Sequence, residues 1–245
     1  DALVILNFIK GNGWTSRIFN VQYLHVDREI VQALKATGSD RILITIDGLN
    51  EQFLRKVVHK PANFKKAKEV IDICREEGVT VISNIIIGFP GETKKMIDKG
   101  VEGMLDMGAD WYSVLVAVPF RGSELYEVCK EKGYLVREGQ DYHDTVIKTD
   151  DWTPEWIKWK AYEINLRLNF VDNWNIRNEN WDKALKLFER VIEMVPGHAF
   201  ALHFAALCTW RMKWQDDWEQ YNKRYHEVTQ LSEWREWIKY FNREI

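Results

Sequence analysis

Cysteine is scarce in this chain: only Cys74, Cys129 and Cys208 occur in 245 residues, each far from the others. That number and spacing exclude a disulfide framework and a Cys-based metal site, so a reducing cytoplasm is the expected setting. Long hydrophobic runs are missing too. No apolar stretch approaches the roughly 18 residues that cross a bilayer, and no basic segment leads into an apolar one at the start, so neither a membrane span nor a signal peptide is expected. An excess of one charge is also lacking. The 34 Lys and Arg stand against 37 Asp and Glu, a net −3, and no basic face advertises nucleic acid or anionic lipid. HExxH, a Cys/His cluster, GxxxxGK[ST] and GxSxG are all absent.

What is present is organised around Val79 to Thr93, VTVISNIIIGFPGET. Its unbroken β-branched run suits a strand buried in a parallel sheet. Gly88, Pro90 and Gly91 then punctuate the chain before a polar helical segment opens at Glu92 and Thr93. Around it, strands at 3–8, 18–24, 41–46 and 111–118 alternate with helices at 28–37, 50–59, 62–77, 94–107 and 123–132. That alternation predicts βα units and a parallel sheet. Beyond Asp151 no strand is expected, and ten of the twelve tryptophans lie there. The expected organisation is therefore an α/β domain over 1–150 and a helical tail over 151–245. In the tail, Trp181, Ala184, Phe188, Val191 and Pro196, followed by Ala205 and Ala206, resemble a tetratricopeptide hairpin, a kind of module that binds peptides or neighbouring domains. Asp217 and Asn222 sit where that repeat expects a small and an aromatic residue.

In parallel α/β folds ligands collect at the carboxyl ends of strands. The candidates there are Thr45 and Asp47, then Asn84, Ile86 and Gly88, then Val118 and Pro119. An acid and an amide on neighbouring strands can bind sugar hydroxyls, apolar neighbours can cover a base, and Gly88 and Gly91 permit close approach to the backbone. Each also has a plain structural explanation: Asp47 as a helix cap, Asn84 as a satisfied buried amide, the glycines as ordinary turn residues.

Three longer runs carry a resemblance. HVDREIVQALKATGSDRILITIDG, KKAKEVIDICREEGVTVISNIIIGFPGET and WYSVLVAVPFRGSELYEVCKEKGYL, in that order, resemble the later part of a radical S-adenosylmethionine (SAM) protein of the kind often preceded by a cobalamin-binding domain. The resemblance implies an incomplete (βα) TIM-type barrel. It implies that Asp47 contacts SAM ribose or methionine atoms, that Asn84 lies near the ribose hydroxyls, and that Ile86 and Val118 lie near adenine. Lys60 or His59 falls where a basic residue holds the SAM carboxylate. It also implies a [4Fe–4S] cluster, with cobalamin as a further cofactor in part of the family.

The family's CxxxCxxC loop is nowhere in this sequence, and no Gly-Gly-Glu appears at 3–13. Without three thiolates no such cluster is held. The chain also opens on Asp1 and enters an apolar run at once, so it reads as a fragment or truncated form of a radical SAM enzyme, inactive alone, with its small-molecule substrate unspecified. Two other readings stay open. One is a cluster-less relative that binds a protein partner through the helical tail; the other is an unrelated βα enzyme with an acid/base pair near Asp47 or His59.

Overall fold

Five helices of the first half begin on a side chain that accepts a hydrogen bond from an otherwise unpaired backbone N–H. In the computed structural model, which describes residues 2–18, 20–137, 145–230 and 232–241, these caps are regular. Asp27 accepts from Ile30 N at the start of α2 (Arg28–Ala36), Asn50 from Phe53 N at α3 (Glu51–Lys56) and Asn63 from Lys66 N at α4 (Phe64–Glu76). Thr93 does the same for Met96 N at α5 (Lys94–Met107), and Ser123 for Tyr126 N at α6 (Glu124–Glu131). Gly108, at φ +74°, closes α5 in the left-handed conformation that glycine adopts without a Cβ penalty.

Between these helices run three parallel strands, β1 (Arg41–Thr45), β2 (Thr80–Ile87) and β3 (Trp111–Val116), in the order β1-β2-β3. Their register places Thr45 beside Asn84 and Asn84 beside Ser113. The parallel sheet is the one the alternating pattern predicts, and with its helices it forms an incomplete (βα) barrel, the architecture the resemblance implies. One face is closed: Ile42, Ile44, Val81, Ile85, Ile87 and Tyr112 are buried, as are Ala67, Val70, Ile71 and Cys74 of α4 and Ile97, Val101 and Met104 of α5. The alternate residues, Leu43, Thr45, Ile82, Asn84, Ile86, Trp111 and Ser113, are only half buried, and Leu115 is exposed. A strand's period of two makes this division, so one set packs under helices and the other faces outward.

Two expected strands are not strands. Residues 3–8 lie within a helix, α1 (Ala2–Gly11), of which Leu6 alone is buried while Val4, Ile5 and Phe8 stand exposed. Five apolar residues in six have no alternation to favour a strand. With no strand beside it among the described residues, a helix satisfies the backbone locally. Among the described residues of 18–24 only Val21 pairs, bridging Ile44, before Tyr23–His25 tightens into a 3-10 turn. Asn20, at φ +57°, breaks the extended path just before it.

The chain divides into two compact units, residues 1–165 and 166–245. The first unit retains residues 151–165, including most of α7 (Pro154–Leu166). The second opens with a π-helical stretch, Arg167–Val171, and continues as α8 (Trp174–Arg177), α9 (Trp181–Met194), α10 (Ala199–Arg211), α11 (Gln215–Val228) and α12 (Ser232–Phe241). Helices α9, α10 and α11 pack in succession. Ala184, Phe188, Ala205 and Ala206, the small and aromatic positions of the expected hairpin, are all buried. Inside this unit His198 lies 4.8 Å from the Phe170 ring and accepts from Ala201 N through Nδ1; burial pushes its pKa down to about 4. No helix among the described residues is long and apolar enough to cross a membrane.

Two glycines of α5 make an internal comparison. A Cβ on Gly100 would stand 2.4 Å from Leu49 Cβ and 2.8 Å from the Leu49 carbonyl oxygen, whereas one on Gly103 meets nothing within 4 Å. Gly100→Ala is expected to destabilise the first unit by about 3 kcal/mol through overpacking against backbone. Gly103→Ala is expected to stabilise it by roughly 0.5–1 kcal/mol through helix propensity. Urea denaturation of the two variants, followed by near-ultraviolet circular dichroism, checks the opposite signs.

Candidate functional site

The outward face of the sheet carries a polar row, Thr45, Asn84 and Ser113, set between apolar residues. Leu43, Ile82 and Trp111 lie on one side, and Ile86 and Leu115 on the other. Thr45 Oγ1 donates to the Val21 carbonyl at 3.2 Å. Asn84 Nδ2 donates to Asn20 Oδ1 at 2.9 Å, while its backbone carbonyl accepts from Ile46 N and Asp47 N. The β1 chain thus turns outward over Asn84, and Asp47 sits at φ +65°, a conformation that Asp and Asn adopt more readily than other non-glycine residues.

Asp47 and Lys60 are brought together. Lys60 Nζ lies 2.9 Å from Asp47 Oδ2, with the carboxylate side chain 17 % and the lysine 50 % exposed. His59 turns elsewhere, to Glu124 at 3.1 Å. Of the sequence candidates, Asp47, Asn84 and Ile86 follow one another along the same end of the sheet, and Lys60 reaches that end through its ion pair. Val118 lies two residues beyond the end of β3 and is half buried. Asn20 and Ser113 do not stand out in the sequence. The general tolerance of Asn for positive φ and the alternation of WYSV are the only sequence signals that point to them.

Gly88 behaves differently from the expectation of a glycine opened to a ligand. It is buried at φ +90°, and a Cβ there would lie 3.0 Å from Ile157 Cγ1 and 3.7 Å from Trp152 Cη2. Its close approach is to the protein's own side chains. The turn after it is held by Glu92, 3 % exposed, whose Oε2 accepts from Gly88 N at 2.7 Å and Phe89 N at 2.9 Å. Burial pushes the Glu92 carboxyl up to about 7 from its ordinary 4.5, against the downward pull of the Phe89 and Gly88 bonds. The three cysteines are free and buried, and the described residues hold no group of three His, Cys, Asp or Glu side chains that could bind a metal ion. The residues present therefore do not fit an iron–sulfur cluster.

Residues 5–102, which carry most of this geometry, match the radical SAM superfamily. This part of the chain is similar to that superfamily. An uncharacterized methyltransferase of Pyrococcus horikoshii is 20 % identical over 134 residues, covering 54 % of this chain and 29 % of the relative. Two solved radical SAM structures align at low identity. Coproporphyrinogen III oxidase of Escherichia coli does so with TM-score 0.47 and 12 % identity, over 66 % of this chain and 35 % of that one. The methyltransferase TsrM of Kitasatospora setae, solved with cobalamin and a [4Fe–4S] cluster bound, aligns with TM-score 0.47 and 16 % identity, over 69 % and 32 %. The chain spans about a third of the length of these proteins. Within the matched radical SAM segment lie Asp47, Lys60, Asn84, Ile86, Gly88 and Glu92; Val118 and Ser113 lie beyond it.

The Glu92 carboxyl gives a pH signature. Between 4.5 and about 7 the folded chain holds a proton that the unfolded chain releases, so stability falls as pH rises through this window, by on the order of 3 kcal/mol in all. Glu92→Gln keeps an acceptor oxygen for both N–H groups and cannot ionise. Its unfolding free energy is expected to lose this slope between pH 4.5 and 7, as measured by urea titration at a series of pH values.

Proposed function

We propose that the first unit is the adenosyl-ligand-binding part of a radical SAM enzyme and binds S-adenosylmethionine on the outward face of its sheet. The observation that carries this reading is the polar row Thr45–Asn84–Ser113 between apolar flanks, inside or beside a segment of that superfamily. A nucleoside fits such a surface: the ribose hydroxyls exchange hydrogen bonds with Asn84, and the base lies against Ile86. Asn84 has the chemistry for this, since an amide offers both donor and acceptor. Lys60, half exposed beside Asp47, supplies a cation for the ligand's carboxylate, and Asp47 an acceptor for its ammonium or hydroxyl groups.

The three-thiolate set for a cluster is not in this chain, so we assign it no reductive cleavage of SAM by itself. In our reading the chain is one part of a longer enzyme, in keeping with its covering 29 % of the relative. That relative's name favours methyl transfer over other radical SAM reactions for the whole protein. The free cysteines suit a reducing compartment such as the cytoplasm. A second reading, a binding module acting through the helical unit, draws on Trp210 and Trp214, 56 % and 46 % exposed, with Arg211 lying over the Trp181 and Trp210 rings. Aromatic and arginine side chains of this kind are typical anchors for a protein partner.

Isothermal titration with S-adenosylhomocysteine, which carries the same nucleoside and carboxylate without redox chemistry, tests the first reading. Saturable binding is expected, weakened about tenfold by Asn84→Ala, the worth of roughly one good hydrogen bond. Absence of binding transfers the function to the helical unit. Incubation with iron, sulfide, dithionite and SAM under anaerobic conditions is expected to yield no 5′-deoxyadenosine. Its formation at catalytic levels would refute the assignment of the cluster to another part of the enzyme.

A further inference from the structure

The turn that ends β2 is gripped from a part of the chain outside the superfamily match, which stops at residue 102. Trp152, 2 % exposed, donates its indole N–H to the Glu92 carbonyl at 3.0 Å. Ile157, fully buried, fills the space beside Gly88 that a Cβ would need. The same segment is also fastened to α5, the helix that follows the turn. Lys94 Nζ lies 4.8 Å from the centre of the Trp156 ring, and Lys160 Nζ lies 2.8 Å from Asp98 Oδ1 and 2.8 Å from Glu163 Oε2. Burial alone would lower the Lys160 pKa, but the two carboxylates outweigh it and raise it, so this lysine stays charged where it ties the two helices.

Glu92 thus works from both ends. Its carboxyl holds Gly88 and Phe89 from inside the turn, and its carbonyl is held by Trp152 from outside. Asn84 and Ile86 precede that turn by four and two residues on a strand with little freedom of its own. A shift of the turn is therefore passed to their side chains. We propose that Trp152 and Ile157 form a brace that positions the end of β2, and with it Asn84 and Ile86, for the adenosyl ligand. Trp152 is a positioning residue and touches no ligand itself. The affinity half of this inference rests on the ligand assignment above; the mechanical half does not.

Trp152→Phe keeps an aromatic body in the site and removes the N–H. In amide exchange measured by nuclear magnetic resonance, it is expected to speed exchange at Gly88 N and Phe89 N about tenfold. It is also expected to weaken S-adenosylhomocysteine three- to tenfold, with the exchange of core amides in α4 unchanged. Trp156→Phe, which retains the indole bond of Trp152, leaves both readings at wild type. Should Trp152→Phe not fold, the unaltered chain still decides the mechanical half. A brace requires the Trp152 indole N–H to exchange as slowly as the Gly88 and Phe89 amides, because all three open together. An indole that exchanges far faster than those amides overturns the brace. So does a folded Trp152→Phe with wild-type exchange at Gly88 and Phe89. Wild-type affinity in that variant, with faster exchange, overturns the link to the ligand. If the unaltered chain binds no S-adenosylhomocysteine, the ligand assignment fails and takes the affinity half with it, while the exchange results still decide whether the brace exists.

Discussion

A strand that ends inside a protein leaves backbone N–H groups that must find partners, and at the end of β2 one buried carboxyl meets that demand. Glu92 Oε2 takes both the Gly88 and Phe89 N–H groups. The arrangement has a cost, because a carboxylate withdrawn from water is disfavoured as an ion, and its pKa rises to about 7. It also fixes the elements downstream of the turn. Once the turn is closed, Thr93 caps α5, α5 runs fourteen residues to Gly108, and β3 returns to pair with β2. The positive φ values at Gly88 and Gly91 are what let so short a turn reverse direction within this grip.

The two faces of the sheet then acquire different chemistry for a simple reason. Helices α4 and α5 cover one face, and their apolar stripes match the buried alternate residues of the strands. The other face keeps a half-buried row of hydroxyl and amide groups that a closed core would penalise. Here Asn84 and Thr45 are bonded to the segment before β1, through Asn20 and the Val21 carbonyl. A ligand would exchange those bonds instead of creating new ones, so its net gain comes largely from apolar contact with Ile86 and its neighbours. The Asp47–Lys60 pair adds orientation more than energy. A half-exposed ion pair contributes about 1 kcal/mol or less to stability, but it holds both groups at the rim.

Much of this was legible in the residues. Asp27, Asn50, Asn63, Thr93 and Ser123 are cap residues by type, and Gly38, Gly78 and Gly108 are stops, so helices α2 to α6 could be placed to within a few residues. β2 was legible because β-branched residues dominate it from end to end. The apolar run 3–8 was not, since periodicity cannot separate a short strand from a short helix, and the deciding fact is the absence, among the described residues, of a strand beside it. Nor could 18–24 be resolved: Asn20 in a left-handed conformation is a local event that a pattern of alternating residues conceals. At the site, Asp47 and Asn84 stood out as polar groups at strand ends. Asn20 and Ser113 became visible only through tertiary structure, which brings residues 64 and 29 positions away to Asn84.

Gly88 shows where such reading reaches its limit. A glycine at a strand end says that something approaches the backbone closely, and nothing in the local sequence says whether that something is a ligand or another part of the chain. Here the answer lies about seventy residues downstream, in Ile157, with Trp152 beside it. The two alternatives have opposite mechanical consequences. A glycine opened to a ligand leaves the turn to be ordered when the ligand arrives. A glycine filled by a buried isoleucine orders the turn beforehand, so less conformational entropy is lost on binding. The segment that follows the barrel strands therefore does more than connect two units. It determines how rigid the neighbouring end of β2 is before any ligand reaches it.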